Sequence, residues 1–359
     1  MQDTSPQPIK CEFIPRWGRN PYHRQLIECL EARQVQVGAG RELKDLAAAV
    51  RNGERRPDIV HLHATPPFGL GPVRLRQHLL FHLRLARLRR AGAKIIWTIH
   101  DVYPHESKWE AMDMWCGRKL ANWADYCIVH APSALEAICQ RWKTPGLPRV
   151  ALIPHGNYLK VYPDNITREE ARQKLGIEPG RMVYLFLGLI RPYKGVEVLL
   201  DVFSGMGDRK DAMLLLAGEP VNETIREVIN TAAARDSRIK FFPGYAKEEE
   251  LQVYMNAADV VVFPYRNSLT SGSVIMAMGF RKACIAPKLG AIKDALDDQG
   301  AYMFDPVSGG SLKVVLESAY ADRSKLAAMG EHNHERCKAW SWEMIAEKTA
   351  DVYRKCLGL

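Results

Sequence analysis

A nine-residue apolar run, Met182 to Ile190, passes directly into Arg191-Pro192-Tyr193-Lys194-Gly195 and then into a helix-like stretch. A strand that ends in a basic, turn-prone loop before a helix constrains the fold strongly. In open parallel sheets, ligands gather beyond the carboxyl ends of the strands, where the next helix offers unpaired N–H groups and a partial positive charge. Arg191 and Lys194 add full charges at that point. A second run, Val260 to Pro264, leads through Tyr265 into Leu269-Thr270-Ser271-Gly272-Ser273 and a Met/Ala/Ile helix. Its backbone donors can face the first set, and together the two ends suit a diphosphate. Fixed donors lower a barrier most where negative charge develops, as on a departing diphosphate.

A chain of 359 residues is too long for one compact core. It fits two α/β domains of roughly 150–180 residues each. Strands are expected near 11–15, 58–63, 93–100, 126–130 and 150–154, alternating with helices near 22–32, 43–50, 73–90, 112–121 and 133–142. Such alternation implies a parallel sheet with right-handed crossovers. The stretch 159–165 has turn composition and precedes a capping-box start at Thr167-Arg168-Glu169-Glu170, so the domain boundary is expected there. A second series of strands follows near 182–187, 213–217, 239–242, 260–264 and 283–287. The expected architecture is α/β, with two doubly wound, Rossmann-like domains facing each other across a cleft.

Eight cysteines are scattered without a CxxC pair, which argues against a disulfide framework or a zinc cage and for a reducing, cytoplasmic setting. Met1 to Lys10 has no apolar signal core, and no window reaches the ~18–20 apolar residues that span a bilayer. The net charge is +9, and much of the excess falls in 73–90. There Leu75, Leu79, His82 and Ala86 trace one helical line among Arg74, Arg76, Arg84, Arg87 and Arg90. The pattern suits either a crossover helix packed through its leucines or a helix that meets an anionic membrane surface. Nucleic acid is not expected, because the aromatic-interleaved and helix-turn-helix signatures are missing.

In the first half, polar side chains collect just past strand ends: His61 and His63, then His100-Asp101-Val102-Tyr103-Pro104-His105-Glu106. His100 is placed to hydrogen-bond a sugar hydroxyl or a leaving phosphate. Asp101 and Glu106 are the nearest carboxylates that could accept the proton of an attacking hydroxyl. A metal site is not expected: His61 and His63 alternate on a strand and should face opposite ways, and no DxD pair is present. Gly38-Ala39-Gly40 begins like a dinucleotide fingerprint, but Leu43 stands at its third glycine position. In the second half, Tyr245 follows Phe241-Phe242-Pro243-Gly244, where exposed backbone and a ring could read a nucleobase.

These pieces resemble the GT-B glycosyltransferases, close to the large family 4 group. The resemblance rests on Pro57-Asp58-Ile59-Val60-His61-Leu62-His63, Thr98-Ile99-His100-Asp101, Ile153-Pro154-His155-Gly156, the segment from Phe186 to Gly195, Leu216-Ala217-Gly218 and the segment from Ala257 to Pro264. It implies a nucleotide-sugar donor, GDP- or UDP-linked, held by domain 164–340 through Arg191, Lys194, Tyr245, Tyr265, Thr270, Ser271, Gly272 and Ser273. It also implies an acceptor on domain 1–163, near Asn20, Tyr22 and His155, and no required metal. Residues 341–359, led by Trp340-Ser341-Trp342-Glu343, are similar to the family's last helix, which crosses back to the first domain. The family's Glu-x7-Glu pair is replaced here by Ser268 and Met276. Leu269-Thr270-Ser271-Gly272-Ser273 instead resembles a bacterial exopolysaccharide subgroup containing mannosyltransferases that act on lipid-linked oligosaccharides. The implied activity is transfer of a hexose, mannose favoured, to a polyprenyl-diphosphate-linked glycan at the inner face of the cell membrane. Retention and inversion stay open, as do an epimerase or a non-catalytic nucleotide-sugar-binding scaffold on the same architecture.

Overall fold

The apolar runs form two parallel sheets. The computed structural model describes residues 7–54, 56–65, 72–102, 108–207, 209–308 and 311–359. Strands β1 (Ile9–Ile14), β2 (Val35–Val37), β3 (Ile59–Leu62), β4 (Lys94–Thr98), β5 (Tyr126–Val129) and β6 (Val150–Leu152) lie in the order β2-β1-β3-β4-β5-β6. Strands β7 (Met182–Leu187), β8 (Ala212–Gly218), β9 (Ile239–Pro243), β10 (Val260–Val262), β11 (Ala283–Pro287) and β12 (Ala301–Phe304) lie in the order β12-β11-β10-β7-β8-β9. Every residue of β7 and β8 is buried, as expected where helices cover both faces of a parallel sheet. Two strands, β2 and β12, go beyond the sequence expectation, and both lie at sheet edges.

Each sheet belongs to its own compact unit. One runs to Gly156 and also takes in Trp340–Leu359; the other is Asn157–Ala339. Helix Trp342–Leu357 is therefore part of the first unit. Its Tyr353 hydroxyl lies 2.6 Å from His61 Nδ1 in the core. At its other end, the Trp342 indole packs so closely on Gly156 that a Cβ there would meet it at 2.5 Å. A glycine after His155 is what lets this helix close on the sheet.

The strand orders also locate the places where a ligand can enter. In an open sheet, loops diverge where the chain order reverses, and a crevice opens beyond the carboxyl ends. That reversal falls between β1 and β3 in the first unit and between β7 and β10 in the second.

Candidate active site

In the second unit, β7 and β10 flank the reversal, and both loops singled out from the sequence leave from it. A short 3-10 turn, Pro192–Lys194, carries the chain from β7 to helix Val196–Ser204 through Gly195 at φ 64°. A Cβ on Gly195 would strike the Pro264 carbonyl oxygen, and Arg266 donates its backbone N–H to Tyr193 O at 2.8 Å. The loop after β7 is thus fastened to the loop after β10. The close packing brings two predicted groups to one point. A Cβ built on Gly188 would lie 3.5 Å from Lys194 Nζ and 4.0 Å from Ser273 Oγ.

Lys194 is buried, with its ammonium 5.9 Å from the Phe186 ring centre and 5.6 Å from that of Tyr265. Desolvation, then the charge of Arg191, draws its pKa down to about 8. Such a cation gains from an arriving anion, which restores the charge balance that burial removed. Thr270, Ser271, Gly272 and Ser273 are all partly exposed, and Ser271 caps helix Gly272–Gly279 by accepting from Val274 N. Tyr265 is buried, and its hydroxyl hydrogen-bonds Ser271 and Ser273. Its hydroxyl is therefore taken up by those serines, while its ring lies beside Lys194. Tyr245 stands past β9 and is 74% exposed. At the two positions where a carboxylate pair is replaced, Ser268 and Met276 are buried, and the Ser268 hydroxyl is held by Thr270 O.

In the first unit, histidines follow the ends of four neighbouring strands: His63 after β3, His100 after β4, His130 after β5 and His155 after β6. Tyr22 stands among these four rings and Trp342, with centres 5.0–6.0 Å away. His61 pairs with Tyr353 and with Thr98 Oγ1 at 2.7 Å. The expectation that His61 and His63 face opposite ways is corrected: β3 ends at Leu62, so His63 lies past the pleat and its ring centre is 4.2 Å from that of His61. Burial holds these imidazoles neutral, with pKa values near 3 for His61 and His155 and near 4 for His23 and His130, and well below the usual range for His63 and His100. Among the described residues no group of three or more His, Cys, Asp or Glu could hold a metal ion.

His100 faces His63 Nδ1 through its Nε2 and His130 Nε2 through its Nδ1. Asp101 follows it, half-buried. Glu106 lies outside the described residues. Asn20 caps helix Pro21–Glu31, its side-chain oxygen accepting from Tyr22 N at 2.9 Å. His155 is half-buried, and its Nδ1 donates to Gly156 O. His23 and His130 were not singled out from the sequence. The usable signal for His130 was its place after β5, matching that of His100 after β4.

Helix Pro72–Arg90 packs on the unit through one face and leaves other apolar side chains exposed. Phe81, Leu85 and Leu88 are buried, whereas Val73, Leu75, Leu79 and Leu83 are 50–67% exposed. Its His78, Phe81 and His82 share a small cavity with Asp113, Cys116 and Gly117 of helix Glu110–Trp123, beside which Trp109, Met112 and Trp115 are also exposed.

Comparison with known proteins now bears on this pair of sites. Residues 167–336 match the family model described as glycosyl transferases group 1, and residues 29–157 match that of glycosyltransferase family 4. The whole fold aligns with a sucrose-phosphate synthase from Thermosynechococcus elongatus at a TM-score of 0.75 and 20% identity, covering 98% of this chain and 100% of that one. The chain belongs to the GT-B glycosyltransferases. This glycosyltransferase also aligns with Anabaena HepE solved with UDP-glucose, at a TM-score of 0.72 and 16% identity over 95% of this chain and 98% of that one. In sequence it is 29% identical to a GDP-mannose:glycolipid 4-beta-D-mannosyltransferase from Xanthomonas campestris pv. campestris, over 96% of this chain and 90% of that protein.

Proposed function

We propose that this glycosyltransferase moves mannose from GDP-mannose to a polyprenyl-diphosphate-linked glycan at an anionic membrane surface. The observation that carries the donor half is the convergence of Lys194 Nζ and Ser273 Oγ on Gly188, where the second sheet's strand order reverses. Arg191, Lys194 and the amides of Gly272 and Ser273 take the diphosphate, and Tyr245 reaches the base. The likeness to the Xanthomonas mannosyltransferase favours mannose, GDP and a glycolipid acceptor over other pairings.

Chemically, the acceptor hydroxyl attacks the anomeric carbon, the bond from that carbon to the diphosphate oxygen breaks, and GDP leaves with the electron pair. Lys194 and Arg191 stabilise the charge that develops on it. A β-linked product, such as the relative's name records, formed from an α-linked donor requires inversion. The hydroxyl proton then passes to a carboxylate on the acceptor side, with Asp101 or Glu106 in that role. The rim of neutral imidazoles around Tyr22 suits an uncharged, polyhydroxylated acceptor. Exposed Leu75, Leu79 and Leu83, the arginines of the same helix, and Trp109 and Trp115 beside it suit the boundary between lipid headgroups and acyl chains.

Incubating the purified protein with GDP-mannose or a UDP-hexose and a synthetic polyprenyl-diphosphate oligosaccharide tests the proposal. A mannosylated lipid formed from GDP-mannose supports it, and the anomeric coupling in the product decides between inversion and retention. An altered donor sugar formed without acceptor would replace transfer with epimerisation.

A further inference from the structure

One carbonyl sets the protonation of a whole row of imidazoles. Ile153 O lies 2.9 Å from His130 Nδ1, and because a carbonyl only accepts, that nitrogen carries the proton. His130 Nε2 is then a lone pair, so its neighbour at 3.4 Å, His100 Nδ1, is the donor. His100 Nε2 becomes a lone pair in turn and accepts from His63 Nδ1 at 3.2 Å. His63 Nε2 ends the row as a buried lone pair with no partner among the described residues.

A ring beside His63 is fixed by its own backbone contact. The backbone N–H of Trp17 donates to His23 Nδ1 at 3.0 Å, which leaves the His23 proton on Nε2. That atom is also buried without a partner among the described residues, and the His23 ring centre is 4.3 Å from that of His63.

We propose that His63 and His130 are positioning residues that hold His100 in its neutral Nδ1–H form, and that the His63–His100 pair is a slot for one sugar hydroxyl. This rests on the reading of the histidine rim as the sugar-facing side of a transferase. A hydroxyl takes a place between the two nitrogens only when the rings part from their 3.2 Å contact; it then accepts from His63 Nδ1 and donates to His100 Nε2, so every group stays paired. A phosphate oxygen, which only accepts, finds no donor at His100 Nε2. His100 therefore reads a hydroxyl, and the departing diphosphate is left to the second unit. The row ends on a carbonyl, which passes no proton onward, so it fixes tautomers and does not conduct protons.

The test is long-range 15N–1H correlation on protein labelled in the histidine rings at pH 7, assigned with single-histidine variants. Nδ1–H forms at His63, His100 and His130, with Nε2–H at His23, are expected. A proton on Nε2 of His100, alone or together with one on Nδ1, overturns the proposal. In His130→Asn the amide keeps a donor for Ile153 O but loses the acceptor for His100. The His100 signals should shift toward the Nε2–H form, and the KM for the sugar whose hydroxyl it reads should rise about tenfold, the worth of one hydrogen bond, with kcat changed less. Unmoved His100 signals in a folded His130→Asn protein also overturn it. If that variant does not fold, the wild-type spectrum decides alone. The ring spectrum needs no sugar transfer, so it can fail while the transferase reading stands, and the reverse.

Discussion

The ammonium of Lys194 lies 5.6 Å from the centre of the Tyr265 ring, and the hydroxyl of that ring hydrogen-bonds Ser271 and Ser273. One buried aromatic thus places both the cation after β7 and the helix start after β10. Lys194→Met should lower turnover by ~10²–10³, the usual cost of removing a group that stabilises the leaving charge. Its melting temperature should equal or exceed that of the wild type, because the variant no longer buries a charge. Calorimetry beside steady-state kinetics checks both halves; a large loss of stability would make Lys194 a structural residue.

Donor affinity should weaken as pH rises through about 8, where Lys194 sheds its proton. The same shift acts on folding with the opposite sense. Between about 8 and the ordinary 10.5, the unfolded chain holds a proton that the native one has lost. Stability from this group therefore rises with pH across that window. Titration calorimetry with GDP from pH 7 to 9.5 gives the first effect, and a flat affinity profile would remove Lys194 from the site.

The neutral histidines make the first unit acid-labile. Their native pKa values lie near 3 to 4 for His23, His61, His130 and His155, below the usual 6.5, with burial as the main cause. Above 6.5 these groups leave stability untouched; below it the unfolded chain takes protons that the native chain refuses. At pH 5 the loss is roughly 2 kcal/mol per histidine, so a few of them match the whole stability of a typical domain. Melting temperatures measured by tryptophan fluorescence should fall steeply between pH 6.5 and 5. An unchanged melting point at pH 5 would show that the cluster takes up protons in the native state.

Replacing Leu75, Leu79 and Leu83 together by Gln removes exposed apolar surface from helix Pro72–Arg90 and leaves its buried Phe81, Leu85 and Leu88 intact. Co-sedimentation with vesicles rich in anionic lipid should drop severalfold, while turnover of a short, soluble acceptor analogue stays within about twofold, because those leucines lie exposed on the helix surface. Equal binding to neutral and anionic vesicles by the parent protein would take the arginines out of the interaction.

Gly156→Ala should destabilise the first unit by about 2–3 kcal/mol, since the added methyl meets the Trp342 indole at 2.5 Å and a packed core yields little. Chemical denaturation measures it, and Gly146→Ala, where a Cβ meets nothing within 4 Å, supplies the control.

Long apolar runs were readable because burial on both faces leaves no other composition, as in β7 and β8. Two of the four edge strands, β2 and β12, were not: Val35–Val37 has only three residues, with Gln36 exposed between two buried valines, and so carries little signal. The loops after β7 and β10 could be read from their charge and their place after strands. The histidine rim was only half visible, because periodicity follows a strand to its last residue and says nothing of where the chain turns beyond it. His63 stands one residue past β3 and escapes the alternation rule. His23 joins the cluster from helix Pro21–Glu31, through a fold-level approach that no local pattern encodes.

The first unit draws its closing helix from residues made after the entire second unit. During synthesis, His61 has no Tyr353 to meet and Gly156 no indole to cover it until residues 157–339 have left the ribosome. The second unit is therefore complete in sequence before the first, whose closing helix comes from residues 340–359.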